Sequence, residues 1–413
     1  MRVLVVSQYF WPENFRINDL VTELERRGHE VAVLTGVPNY PEGRILPEFR
    51  RDPARFMRYG NATVVRVPLV SRGGGRSLRL ALNYASFAMC GMIVGIWRLR
   101  RCQFDVIFVF QPSPVTACLP ALAIGWRGGV PVILWVCDLW PETLAAVGAV
   151  RARWLLALIG GLVRFIYRRC AMVLGQSRAF GANIARYTGD ASRFRYFPTW
   201  AESLFEGALD AVDPAEEVRH LAGGFNIVFA GNIGDAQDFP TILDAADALR
   251  DRHDIRWLIV GDGRAAAAVR AEIARRALHE TVLMLGRHPV ERMPSFFRVA
   301  SALLVTLRRD PVFALTTPGK VQAYLASGLP VVAALDGEGA RVITESGGGI
   351  VCAAGDGAAL ARQVLALTEL TPAARAEMGE RGRAYCRREF DRERLMGQLE
   401  DWMEECADVA SRR

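Results

Sequence analysis

Short, unbroken apolar runs recur along the chain, each followed by a longer stretch with helical spacing. In the first half they occupy residues 3–7, 30–35, 63–67, 105–110, 131–136 and 171–175. In the second they occupy 226–230, 256–260, 281–285, 302–306, 330–333 and 349–352. A strand that is apolar throughout, rather than at every second residue, is covered on both faces, which is the condition of a parallel sheet between helices. The pattern therefore predicts an α/β protein of two tandem Rossmann-like doubly wound domains facing a cleft. The break lies between Phe197-Pro198-Thr199-Trp200 and Gly224, so the expected domains are residues 1–200 and 201–390. Within 391–413, Leu395, Leu399, Trp402, Met403 and Cys406 share one face of an amphipathic helix, expected to pack back onto the first domain.

Two stretches are more apolar than an ordinary surface helix. Residues 80–97 carry no charge between Arg79 and Arg98, and 154–167 carry only Arg164. A span of the bilayer needs about 20 apolar residues, and Asn83 and Ser86 interrupt the first stretch. A buried or interface-lying helix is the expectation. The uncharged run 106–126 is broken by Pro112, Pro114 and Pro120.

Composition narrows the class. The 413 residues, 51% of them hydrophobic, exceed one ordinary core and exclude a disordered chain. The eight cysteines show no C-x-x-C pair or zinc spacing, so reduced thiols and no metal are expected. A strand begins almost at Met1 without signal-peptide architecture, which points to the cytoplasm. Residues 1–200 hold 26 basic against 12 acidic residues, a net of +14, whereas 201–413 hold 25 against 32, a net of −7. A basic first half faces an anionic partner. No basic helix interleaves with stacking aromatics and no nucleic-acid motif is present, so the expected partner is the inner membrane surface or a lipid phosphate, not nucleic acid.

In open parallel sheets ligands bind beyond the carboxyl ends of the strands, so the loops there hold the candidate chemistry. Of the 51 basic residues one is a lysine, Lys320, in Thr316-Thr317-Pro318-Gly319-Lys320-Val321-Gln322. Thr, Pro and Gly open a helix there, and a helix N-terminus receives a phosphate on unpaired amides. A lysine kept in an arginine-rich chain marks a place for a compact ammonium. No Walker loop is present. Gly231-Asn232-Ile233-Gly234 and Gly261-Asp262-Gly263 each follow a strand and let backbone approach a phosphate, although neither is a full G-x-G-x-x-G. Arg287 and His288 follow the next strand, His288 reading as a surface histidine. In the first half, Glu13, Asn14, Arg16 and Asn18 sit among aromatics after the first strand, where Asn18 or Asp19 is either a helix cap or a binding group. Asp138, directly after the strand ending at Val136, is either a cap or a site residue.

Together these motifs resemble the family 4 retaining glycosyltransferases of GT-B fold. Trp11-Pro12-Glu13 with Arg16-Ile17-Asn18-Asp19, Leu34-Thr35-Gly36 with Pro38-Asn39-Tyr40-Pro41, Asp138-Leu139-Trp140-Pro141-Glu142 and Asp336-Gly337-Glu338-Gly339-Ala340 resemble, more narrowly, bacterial O-antigen and capsule enzymes of the fucosamine-transferase type. The resemblance implies a UDP-sugar donor held by the second domain, a lipid-linked saccharide acceptor against the first, and no metal or other cofactor. Donor contacts would fall on Gly231, Asn232, Ile233, Gly234, Gly261, Asp262, Arg287, Thr317, Gly319, Val321, Gln322 and Glu338. Glu13, Asn14 and Arg16 would meet the acceptor, and Lys320 and Asp138 would act in catalysis. The family's Glu-x7-Glu pair would fall at Leu315 and Ala323, so its carboxylates are missing and Gln322 or Glu338 stands in. The basic residues of its phosphate loop are replaced around 232–237, and Cys137-Asp138 lies where its histidine would. A nucleotide-sugar epimerase and a catalytically silent sugar-nucleotide-binding subunit are the alternative readings.

Overall fold

The computed structural model describes residues 1–74 and 77–412. It comprises two α/β units: Met1–Pro198 with the segment from Glu393 onward, and Thr199–Arg392. In the first, the sheet order is β3-β4-β2-β1-β5-β6-β7-β8. These strands are β1 (Arg2–Val6), β2 (Glu30–Gly36), β3 (Arg58–Tyr59), β4 (Ala62–Val67), β5 (Val106–Gln111), β6 (Val132–Val136), β7 (Met172–Gly175) and β8 (Phe194–Tyr196). All pair in parallel except β3 with β4. The second sheet runs β11-β10-β9-β12-β13-β14 and is wholly parallel. Its strands are β9 (Phe225–Ala230), β10 (Ile255–Val260), β11 (Val282–Gly286), β12 (Ala302–Thr306), β13 (Val331–Ala334) and β14 (Gly349–Cys352). Every expected strand is present to within one residue at each end; the two edge strands β3 and β8 are additional. Strands such as β1, β5, β6 and β9 are buried along most or all of their length, as runs without alternation require.

Chain direction across each sheet reverses once, between β1 and β5 and between β9 and β12. A crevice opens beyond the strand ends at such a switch point. Connections β4 to β5, β5 to β6 and β6 to β7 all advance the same way, and right-handed crossovers place helices Ser77–Leu99, Leu119–Gly128 and Arg153–Tyr167 on one face of the first sheet. Helix Arg16–Arg26, crossing from β1 to β2, lies on the other. Helix Arg392–Ser411 also packs on this unit, burying Leu395, Met396, Leu399, Met403 and Cys406, while Trp402 is half-buried and meets Phe197 edge-on. Arg27 Nη1 donates to Glu400 at 2.6 Å, His29 Nε2 lies 2.7 Å from the same carboxylate, and Arg26 and Arg27 both reach Glu393.

Candidate functional site

In the second unit, β9 and β12 pair only at Ile227 with Ala302 and Val228 with Leu303. The strands part before their carboxyl ends, and the Ala230 peptide needs another partner on that side. Tyr324 supplies it: its buried hydroxyl accepts from the Ala230 N–H at 2.8 Å and donates to the Ala230 carbonyl at 3.1 Å. This clamp holds helix Gly319–Ser327 against the end of β9. Lys320 Nζ consequently lies 3.7 Å from the centre of the Phe229 ring, and a Cβ at Gly231 would stand 3.2 Å from it.

Lys320 is half-buried as a residue, yet its Nζ is sealed from solvent and has no hydrogen-bond partner. Burial pulls its pKa down from 10.5 to about 7. The Phe229 face offsets part of the cost of such a cation; an incoming anion would offset the rest. Among the described residues the Gly319 and Lys320 amides also take no partner, as the orphan donors of a helix start. The two glycine turns pack backbone against backbone, for a Cβ at Gly261 would come 1.8 Å from the Gly231 carbonyl oxygen. Gly231, Gly261, Gly319 and Lys320 are thus gathered at the switch point.

The other expected donor contacts sort by where their polar atoms point. Asn232 is exposed and donates to Gln237 Oε1 at 3.2 Å, which also takes the Gly234 N–H at 3.1 Å. Asp262 is exposed and accepts from the Gly263 amide, and Arg287 projects to solvent just past β11. Ile233 and Thr317 are buried. Val321 is corrected: its side chain is in the core and its amide donates to the Pro318 carbonyl at 2.9 Å, so it presents nothing to a ligand. Gln322 is corrected too. Its buried amide nitrogen faces the Pro318 and Gly319 carbonyls at 3.1 Å each, bracing the helix start. Glu338, in the first turn of helix Gly337–Ser346, is buried and bound by Arg341 at 2.7 and 2.9 Å. His288, expected at the surface, is instead largely covered and held between the Leu285 carbonyl and Arg292.

In the first unit, Asp138 caps no helix; helix Glu142–Ala146 starts after Pro141 without a side-chain cap. One Asp138 oxygen accepts from Trp140 Nε1 at 3.2 Å. Burial raises its carboxyl pKa against the hydrogen bonds from Thr143, Trp140 and Ser113. Glu13 is corrected from an acceptor contact to a brace: it is buried, and its carboxylate accepts the Asn39 and Tyr40 amides at 2.7 Å each and that of Phe10 at 3.3 Å. Burial nevertheless raises its pKa to about 7. Asn18 likewise closes the preceding loop, accepting from the Trp11 amide and donating to the Glu13 carbonyl, rather than capping the helix. Asn14 is exposed, and Arg16 lies 3.9 Å from Asp19.

Residues not singled out from the sequence build this rim. Arg72 stacks over Tyr9 and Tyr40, 5.6 and 5.0 Å from their centres, with Phe15 stacked on Tyr9. Buried Asn83 accepts from Gln8 Nε2 at 2.7 Å and donates to the Val70 carbonyl at 2.6 Å. Arg66 is buried, its pKa lowered to about 10, and donates to the Gly36, Phe56 and Trp11 carbonyls. The usable signal was a polar side chain at or just past the end of a buried strand, as at Gln8, Gln111 and Gln176. Among the described residues no three His, Cys, Asp or Glu side chains gather as a metal site.

Residues 14–200 match the family described as glycosyl transferase 4-like domain, and residues 224–369 the family described as glycosyl transferases group 1. The chain is 26% identical over 340 residues to the putative colanic acid biosynthesis glycosyl transferase WcaI of Escherichia coli (strain K12), covering 79% of this chain and 82% of that one. It is 26% identical over 270 residues to the probable glycosyltransferase WbjE of Pseudomonas aeruginosa, covering 63% and 65%. Among solved structures, Anabaena Alr3699/HepE in complex with UDP superposes with a TM-score of 0.70 at 14% identity, over 98% of this chain and all (100%) of that one. At that identity the superposition speaks for the fold alone.

Proposed function

We propose that this chain, whose first half matches a glycosyl transferase 4-like domain and whose second matches glycosyl transferases group 1, is a glycosyltransferase that moves a sugar from a UDP-sugar to a lipid-linked or polysaccharide acceptor in surface polysaccharide synthesis. The transfer retains the anomeric configuration and proceeds at the cytoplasmic membrane face, with the protein peripheral to the bilayer. N-acetylfucosamine or a related amino sugar is the donor to test first, since the motifs around residues 11–19, 34–41, 138–142 and 336–340 resemble those of the fucosamine-transferase type.

The observation that carries this reading is Lys320: a sealed, unpartnered ammonium beside two glycine turns and two open amides. In the transfer the bond from the anomeric carbon to the diphosphate breaks, a bond to the acceptor oxygen forms, and the acceptor proton leaves. Negative charge gathers on the departing diphosphate, where preorganised donors act most strongly. No metal is required in this account. Asp138 orients the acceptor hydroxyl or steadies the sugar cation as it develops. A screen of nucleotide sugars by UDP release, with membrane extract supplying the acceptor, tests the proposal. Lys320→Ala should lower turnover by about 10²- to 10³-fold with the fold intact. Near-normal turnover in the folded variant would remove the assignment.

A further inference from the structure

We propose that the outer face of helices Ser77–Leu99, Leu119–Gly128 and Arg153–Tyr167 docks on an anionic phospholipid leaflet and brings the acceptor rim to its surface. Only its purpose, presenting the acceptor, rests on the glycosyltransferase reading. Leu78, Leu82, Met89, Ile93 and Trp97 follow one another at spacings of four or seven along the first helix, and all are exposed, Leu78 by 75% and Ile93 by 69%. Trp154, Leu158 and Phe165 repeat that spacing on the third, and Trp126 on the second is 90% exposed. The right-handed crossovers put all three helices on one face, and Met92, Leu122, Trp126 and Phe165 line a common groove of about 1160 Å³. Aromatic side chains with an apolar body and a polar edge belong at a lipid–water boundary.

Charge selects the occupant. Residues 77–101, 119–128 and 151–169 contain ten arginines and no aspartate or glutamate. All ten are exposed, and among the described residues none pairs with a carboxylate. Asp190 and Glu405 also line the groove, where Arg168, Arg169, Arg193 and Arg195 outnumber them. An apolar stripe rimmed mainly by cations fits an anionic bilayer, where each arginine near the surface is worth about fivefold in binding.

Helix Ser77–Leu99 is long and apolar enough to cross a membrane, but its inner side belongs to the fold. Phe87, Ala88 and Asn83 are buried, and a Cβ at Gly95 would come 2.9 Å from Leu34 Cδ2. Lying flat, the helix shows Leu82 to lipid while the neighbouring Asn83 reaches Gln8 beyond β1 and approaches Asn39 beyond β2. The aromatic rim with Arg72 is then about one helix diameter, roughly 10 Å, from the lipid. A saccharide on a lipid carrier can enter that rim while its tail stays in the leaflet.

Co-sedimentation of the full chain with phosphatidylethanolamine vesicles, with and without phosphatidylglycerol, tests this. Binding should need the anionic lipid, fall with salt and shift tryptophan emission to the blue. Trp97→Ser, Trp126→Ser and Leu158→Ser combined should weaken it at least ~10-fold while melting temperature and UDP binding stay unchanged. Unaltered vesicle binding in that variant would overturn the proposal. So would a dimer that the variant dissociates, which assigns the face to a second copy, or retention through an alkaline wash, which makes the helix a span. If UDP-sugar turnover stands and vesicle binding fails, docking alone falls; the reverse result condemns only the transferase reading.

Discussion

An amine that is half-protonated near pH 7 cannot meet a diphosphate without consequence. Lys320 has its pKa pulled from 10.5 to about 7 by burial alone, and an anion beside it would restore the charged form. Nucleotide binding between those two pH values should therefore take up a proton. Calorimetry in buffers of differing ionisation enthalpy would read that uptake, and Lys320→Ala should abolish it. Because the unfolded chain holds the proton more tightly, the second unit without nucleotide added should gain stability as pH rises from 7 to 10.5. An arginine would stay charged throughout and could not play this part. This residue was legible from composition, as the one lysine among 51 basic residues. Glu13, Asn18 and Gln322 were not, because the direction in which a polar group points is set by neighbours far along the chain. Glu13, for instance, is turned by the amides of Asn39 and Tyr40.

Elements were more legible than side chains. A parallel strand announces itself as an apolar run, so the inner strands of both sheets could be read directly. β3 and β8, of two and three residues, are too short to form such a run. The clamp from Tyr324 was hidden for a different reason: it depends on β9 and β12 parting, which no local pattern encodes. Removing the hydroxyl leaves a buried N–H and carbonyl of Ala230 without their partner on that side. Tyr324→Phe should cost about 1–3 kcal/mol of stability in the second unit. It should also loosen nucleotide binding, since the helix bearing Lys320 loses its anchor. A variant that melts as the parent does and binds UDP equally well would show that the clamp does not position the site.

At the scale of the whole molecule, the first unit is made of two separated pieces of chain. Helix Arg392–Ser411 buries five apolar side chains against it and joins it through Arg26, Arg27 and His29. Each such side chain contributes about 1.5–3 kcal/mol when fully buried. A chain ending at Arg392 should therefore lose roughly 5 kcal/mol or more from its first unit. Differential scanning calorimetry should show one transition lowered and the second unit's unchanged. An undisturbed first transition would mean that the helix is dispensable. There is a temporal side to this arrangement. A ribosome releases the N-terminal sheet long before residues 393–411 are made, so that sheet must wait, one flank uncovered, while the entire second unit is translated and folds. The earliest part of this protein to emerge is the last to be finished.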